Sequence, residues 1–133
     1  MKSPSFSIVM PTYQRREVVS DAVQALCELD YDGPVEIIVV VDGSTDGTEA
    51  AVKAIPCRHP KKVIVQPNTG LAGARNRGAA EARGDIILFL DDDMMATPNL
   101  LREHARSHSE GAELVMGTSR STPIRLRASW RPG

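Results

Sequence analysis

Apolar residues in this chain come in short runs that switch between two periods. Phe6, Ser7, Ile8, Val9 and Met10 form a compact strand-like run that stops at Pro11. Val18, Val19, Ala22, Val23, Leu26 and Cys27 then recur at helical spacing, which predicts a helix over 16–28. A Tyr31-Asp32-Gly33-Pro34 turn leads into 35–41, where six of seven residues are Val or Ile, the strongest strand signal present. The pattern continues with a tight loop over 43–47, a helix over 48–55 and a strand over 62–66. An Ala-rich helix over 71–83 should close at Gly84, in the left-handed geometry favoured just past helix ends. A strand follows over 85–90. Thr97 as N-cap and Pro98 in the first turn should then open a fourth helix, with a fifth strand over 113–116.

Strands alternating with helices predict an α/β fold: a three-layer α/β/α sandwich around a mostly parallel, Rossmann-like sheet. From Thr118 the periodicity gives way to Ser, Thr, Pro and Arg. One domain over 1–117 and an irregular basic tail over 118–133 are therefore expected, in keeping with a length of 133 residues.

Composition changes little except through charge. The hydrophobic share of 41% and charged share of 25% are those of a soluble globular protein. The net charge of −1 hides an asymmetry: no acid follows Glu113, whereas Arg120, Arg125, Arg127 and Arg131 do. Without those four arginines 12 bases face 17 acids, so the body is acidic, and nucleic acid is not an expected partner. Cys27 reads as core and Cys57 as a loop residue, with no CxxC pair and no disulfide framework. No apolar run approaches the ~20 residues of a membrane span, and the first residues do not read as a secretory signal. A cytoplasmic location is the default expectation.

The candidate chemistry begins with Asp91, Asp92 and Asp93, set directly after the apolar run 85–90. Three acids at the end of a buried strand are too costly to bury unpaired, so they must meet water, a cation or a polar ligand. Carboxyl ends of strands in open α/β sheets are where ligands bind. One or two carboxylates there suit a hard divalent cation whose other positions are taken by water and phosphate. Asp42 ends the Val/Ile-rich strand in the same way, ahead of Gly43-Ser44-Thr45-Asp46-Gly47. That loop is not a calcium site, because Lys53 stands where a bidentate Glu is required. Asp46 alternatively reads as an Asx turn starting the next helix. Asn68 to Gly78 feeds a helix N-terminus whose free N–H groups suit a phosphate, with Arg75 and Arg77 nearby, but its glycine spacing is not a dinucleotide fingerprint. A nucleotide hydrolase would need a GxxxxGK[ST] loop, and the chain has none. His104 and His108 stand four apart without a third ligand, and read as solvated.

Together, Val9-Met10-Pro11-Thr12-Tyr13-Gln14-Arg15, the 36–48 segment, Asn68 to Gly78 and Phe89-Leu90-Asp91-Asp92-Asp93 resemble family 2 glycosyltransferases, in order and spacing, along about residues 6–116. The resemblance implies a GT-A fold, here shortened at its C-terminal side. It implies a nucleotide-diphosphate sugar donor, often UDP-linked, a divalent metal (Mn or Mg), and transfer with inversion to an acceptor that the sequence does not name. It further implies that Pro11 and Tyr13, with Thr12 and Arg15 beside them, lie at the base, and that Asp42, next to Gly43, bonds the base edge. Gly70 and Arg75 would run beside the donor, Arg75 approaching the phosphates. Asp92 would reach the ribose or sugar, Asp93 would bind the metal, and Asp91 would complete the DxD pattern.

Val41 and Gln14 depart mildly from the family, which often has Asp and Asn there. The larger departure lies in the tail. Family members continue into an acceptor-binding half that supplies the proton-accepting carboxylate, and nothing from Thr118 to Gly133 is acidic. The catalytic base is therefore unassigned, and the expectation is a chain that binds donor but transfers sugar poorly alone. A non-catalytic nucleotide-sugar-binding module, or an assembly domain pairing through an exposed sheet edge as a homo-oligomer, are the alternatives.

Overall fold

The computed structural model describes residues 4–109. Four parallel strands alternate with four helices: β1 (Phe6–Thr12), α1 (Arg16–Cys27), β2 (Val35–Asp42), α2 (Thr48–Lys53), β3 (Lys61–Gln66), α3 (Leu71–Glu81), β4 (Ile86–Phe89) and α4 (Leu100–Ser109). The sheet order is β3-β2-β1-β4, and every pairing is parallel. The expected fifth strand and the tail fall outside the described residues.

Alternation along each strand divides the core in two. Ile8, Met10, Ile37, Val39, Ile86 and Leu88 face one side, packed with Val19, Val23 and Leu26 of α1, Val52 of α2 and Leu101 of α4. Val9, Ile38, Val40, Ile64 and Ile87 face the other, under Ala74 of α3. Helices thus cover both faces, which is why the strands read as continuous apolar runs. The three-layer architecture expected from the sequence is the one observed.

Local differences have identifiable causes. β1 runs through Pro11 to Thr12 instead of stopping at Met10. Its pairing with β4 ends at Val9 and Phe89, and the Val9 carbonyl accepts from Leu90 N on that side. By alternation the N–H that Pro11 lacks would point to the same side, where no ladder remains to be broken. α4 begins at Leu100, after a turn in which Leu100 N donates to Thr97 O, so Pro98 precedes the helix rather than opening it.

Gly84 corrects an expectation outright. α3 ends at Glu81, its C-cap Ala82 is extended, and Gly84 does not have a positive φ. The residue is glycine because β1 passes against it: a Cβ there would lie 2.7 Å from Phe6 C and Ser7 N. The buried Ser7 hydroxyl accepts from Gly84 N at 2.7 Å and Arg83 N at 3.2 Å, and donates to Glu36 at 2.5 Å. These contacts pin the α3–β4 connection to the start of the sheet. Gly84→Ala is expected to cost about 1–3 kcal/mol, because backbone must move to admit the methyl. Urea denaturation compared with wild type checks this.

The cysteines also differ from expectation. Cys27, at the end of α1, and Cys57, in the loop before β3, are disulfide-bonded with Cα atoms 4.4 Å apart. Arg58 N donates to Cys27 O at 3.3 Å, so the two segments lie side by side in the backbone as well. The pair is 30 residues apart in sequence. No spacing rule reveals it; packing of α1 against the α2–β3 connection creates it.

Candidate functional site

The carboxyl ends of the four strands converge on a cleft of about 450 Å³. β1 contributes Pro11 and Thr12, followed by Tyr13 and Arg15, and β2 contributes Asp42. Asn68, Gly70, Leu71 and Ala74 form the wall where β3 passes into α3, and Asp91, Asp92 and Asp93 close the far end. The cleft thus gathers the residues that the resemblance placed beside a donor, except Gly43 and Arg75. Gly43 sits behind Asn68. Arg75 stands just outside the lining, its Nη2 4.0 Å from Asp91 Oδ1, with a buried Nε that has no hydrogen-bond partner among the described residues.

The three consecutive acids are not equivalent. Asp92 is buried and points inward: Thr12 Oγ1 donates to its Oδ2 at 2.9 Å, and Arg15 Nη1 to its Oδ1 at 2.7 Å. The same bond and charge raise the pKa of the Arg15 guanidinium above its ordinary value. Asp92 therefore ties the loop after β4 to the end of β1. Asp91 is half-buried and Asp93 exposed, and both border the cleft.

Tyr13 is 51% exposed, which leaves a ring face for a planar ligand. Its position is fixed by the next residue. Gln14 has a left-handed φ of 53° and is held by loop 43–47: its N donates to Ser44 Oγ at 2.7 Å, and its Nε2 to Thr45 Oγ1 at 3.0 Å. Thr45 N returns a bond to Gln14 Oε1 at 2.8 Å. Asp46 is the predicted Asx turn, accepting from Thr48 N at 3.2 Å, and it also accepts from Arg16 N at 3.1 Å. Sequence reasoning missed the part played by Gln14; a polar side chain between two pocket residues was the only signal.

Asp42 is the most heavily bonded acid described. Its Oδ1 accepts from Gln66 Nε2 at 2.9 Å, Thr69 N at 2.9 Å and Thr69 Oγ1 at 3.2 Å. Its Oδ2 accepts from Gly70 N at 2.9 Å and Asn68 Nδ2 at 3.2 Å. Burial pushes this carboxyl up, but the donors of Gln66, Thr69 and Gly70 outweigh it and hold the group below its ordinary value. A depressed folded value means that ionisation stabilises the fold above the unfolded value of about 3.9, and that this is lost as pH falls through the folded value. Wild type should therefore lose stability more steeply than Asp42→Asn on acidification below about pH 4. Denaturation midpoints followed down the acid range check the sign.

Among the described residues no group of three or more His, Cys, Asp or Glu side chains could by itself hold a metal ion. The donor set nevertheless fits Mg or Mn, which one or two carboxylates hold together with substrate phosphates. Asp93 and Asp91 supply such hard oxygens on the cleft.

A parallel α/β sheet carrying a polar cleft at its carboxyl ends, with acids at one end and an open aromatic at the other, is an arrangement of the Rossmann-like class, in which ligands bind at the carboxyl ends of the strands. The sequence pattern of Glycosyl transferase family 2 matches residues 7–132, and the chain belongs to that family. It is 32% identical over 111 residues to an uncharacterized glycosyltransferase of Bacillus subtilis, YfnE, covering 83% of this chain and 28% of that protein. S. aureus TarS 1-349 in complex with UDP-GlcNAc superposes with a TM-score of 0.73 at 29% identity, over 83% of this chain and 32% of that one. The fold is also that of the mannosyltransferase PcManGT from Pyrobaculum calidifontis in complex with GDP-Man and Mn2+, at a TM-score of 0.65 and 24% identity, over 74% of this chain and 30% of that one. The chain spans about a third of the length of the relatives it matches. No described helix is long and apolar enough to cross a membrane.

Proposed function

We propose that the cleft binds a nucleotide-diphosphate sugar, UDP-linked, as the donor half of an inverting, metal-dependent glycosyltransferase. The observation that carries this is the division among the three acids. Asp92 is held in place by Thr12 and Arg15, while Asp91 and Asp93 border a cleft whose opposite end offers Tyr13 and Asp42. A base lies against Pro11 and the Tyr13 ring, and the diphosphate runs past Gly70 towards Arg75, whose buried Nε awaits an acceptor. Asp92 stands beside the ribose or sugar, oriented by its two donors.

Asp93, with Asp91, would hold Mn or Mg. Such an ion neutralises charge developing on the diphosphate as it leaves. Arg75 adds positive charge at the same end. Inversion requires a base positioned on the acceptor hydroxyl. In this proposal that group lies beyond residues 4–109, in keeping with relatives about three times as long, and the acceptor is chosen there too. UDP and a UDP-sugar should bind the chain in the presence of Mn with clearly higher affinity than ADP, as read by titration calorimetry. Equal, weak binding of all three would overturn the assignment. TarS bound to UDP-GlcNAc supports the choice of base.

A further inference from the structure

Asp42 does more in this structure than border the base end of the cleft. An ionised carboxylate has about four lone-pair sites, and five hydrogen bonds from Gln66, Asn68, Thr69 and Gly70 converge on the two oxygens of Asp42. Asn68 Nδ2 also donates to the Asp42 carbonyl at 3.0 Å. Beside it, Gly43 has a φ of +86°, and a Cβ there would lie 2.8 Å from Asn68 Cβ and N. The Asp42–Gly43 corner is thus a seat into which 66–70 is pressed, by hydrogen bonds on one side and by the missing side chain on the other.

The segment matters because it launches a helix that borders the cleft. Gly70 is the N-cap of α3, which has no side-chain cap, and Gly70, Leu71 and Ala74 wall the cleft. One turn on, Arg75 faces Asp91. Fixing 68–70 therefore fixes the start of α3 relative to the acids after β4. Building on the donor-binding function above, we infer that Asp42 is a positioning residue. It clasps Gln66 to Gly70 so that α3 meets the diphosphate, an effect on affinity over and above any contact of Asp42 with the base.

The test uses Asp42→Asn and, should that variant fold poorly, Asn68→Ala, which loosens the clasp from the other side and leaves Asp42 intact. Amide exchange in the free chain and binding of UDP and inorganic pyrophosphate with Mn are measured where circular dichroism shows each protein folded. Exchange at Thr69 and Gly70 should accelerate at least about tenfold, as expected when a buried hydrogen-bonded anchor is lost. Pyrophosphate should weaken by about tenfold, and UDP by at least as much. A purely structural role would lower stability and leave both affinities alone. Unchanged exchange, or weakened UDP binding with pyrophosphate unaffected, would overturn the inference. A wild-type chain that binds neither ligand would overturn the donor assignment instead, a failure visible before any variant is made.

Discussion

Asp93→Ala is expected to abolish Mn-dependent binding of UDP while leaving the fold intact. The carboxylate is exposed at the mouth of the cleft, so its removal leaves no buried group unsatisfied, and the stability change should stay within about 0.5 kcal/mol. Its effect on the ligand is of another order. Loss of a mere supporting partner of a metal site costs about 10–100-fold, and loss of a charged ligand costs at least that. UDP affinity in Mn should therefore fall by about a hundredfold or more, to the level that wild type shows in EDTA. Asp92→Ala makes the informative contrast. It leaves the Arg15 guanidinium and the Thr12 hydroxyl without their shared acceptor, so it should lower stability as well as affinity. Two neighbouring acids then give two different signatures: one binding alone, the other binding and fold together.

The largest effect on stability should come from breaking the Cys27–Cys57 bond. It closes a loop of 30 residues, and the chain-entropy relation then assigns it about 3–4 kcal/mol at 25 °C. For a domain whose whole stability is about 5–15 kcal/mol this is a sizeable share. Cys57→Ser is the suitable variant, because Cys57 is only partly buried whereas Cys27 is 2% exposed and would bury a hydroxyl. Wild type in reductant and Cys57→Ser without it should both melt roughly 10–20 °C below the oxidised protein. The variant should not respond to reductant at all. An oxidised wild type whose Tm matches that of the variant would show that the bond contributes nothing.

Much of the fold was legible in the sequence because it rests on local pattern. β2 is all but continuous Val and Ile, and a strand buried on both faces requires that. The order of strands and helices follows from the change of period between segments. Boundaries moved where tertiary contacts decide them. Pro11 stays in β1 only because β4 has already ended beside it, and Gly84 is demanded by the passing backbone of Phe6 and Ser7, not by the end of a helix. Neither neighbour is near in sequence.

The site was legible as a set of residue types and less so as a set of bonds. Asp42 and the 91–93 acids stand at strand ends, and a parallel sheet brings all strand ends to one side. What pattern could not supply was which acid is spoken for. Thr12 and Asp92 are 80 residues apart, and Asp42 and Gly70 are 28 apart. The division of labour among Asp91, Asp92 and Asp93 depends on those pairings. So does the clasp that Gln66, Asn68 and Thr69 form around Asp42.

The proposal that Asp93 and a divalent cation hold the diphosphate end of a UDP-linked donor is tested most directly by a crystal structure of the chain with UDP and Mn. Anomalous density for Mn within about 2.2 Å of an Asp93 oxygen and of diphosphate oxygens, a distance typical of hard-cation coordination, with the uracil against Tyr13, is expected. UDP bound elsewhere, or Mn seated away from Asp93 with the diphosphate unligated, would contradict it.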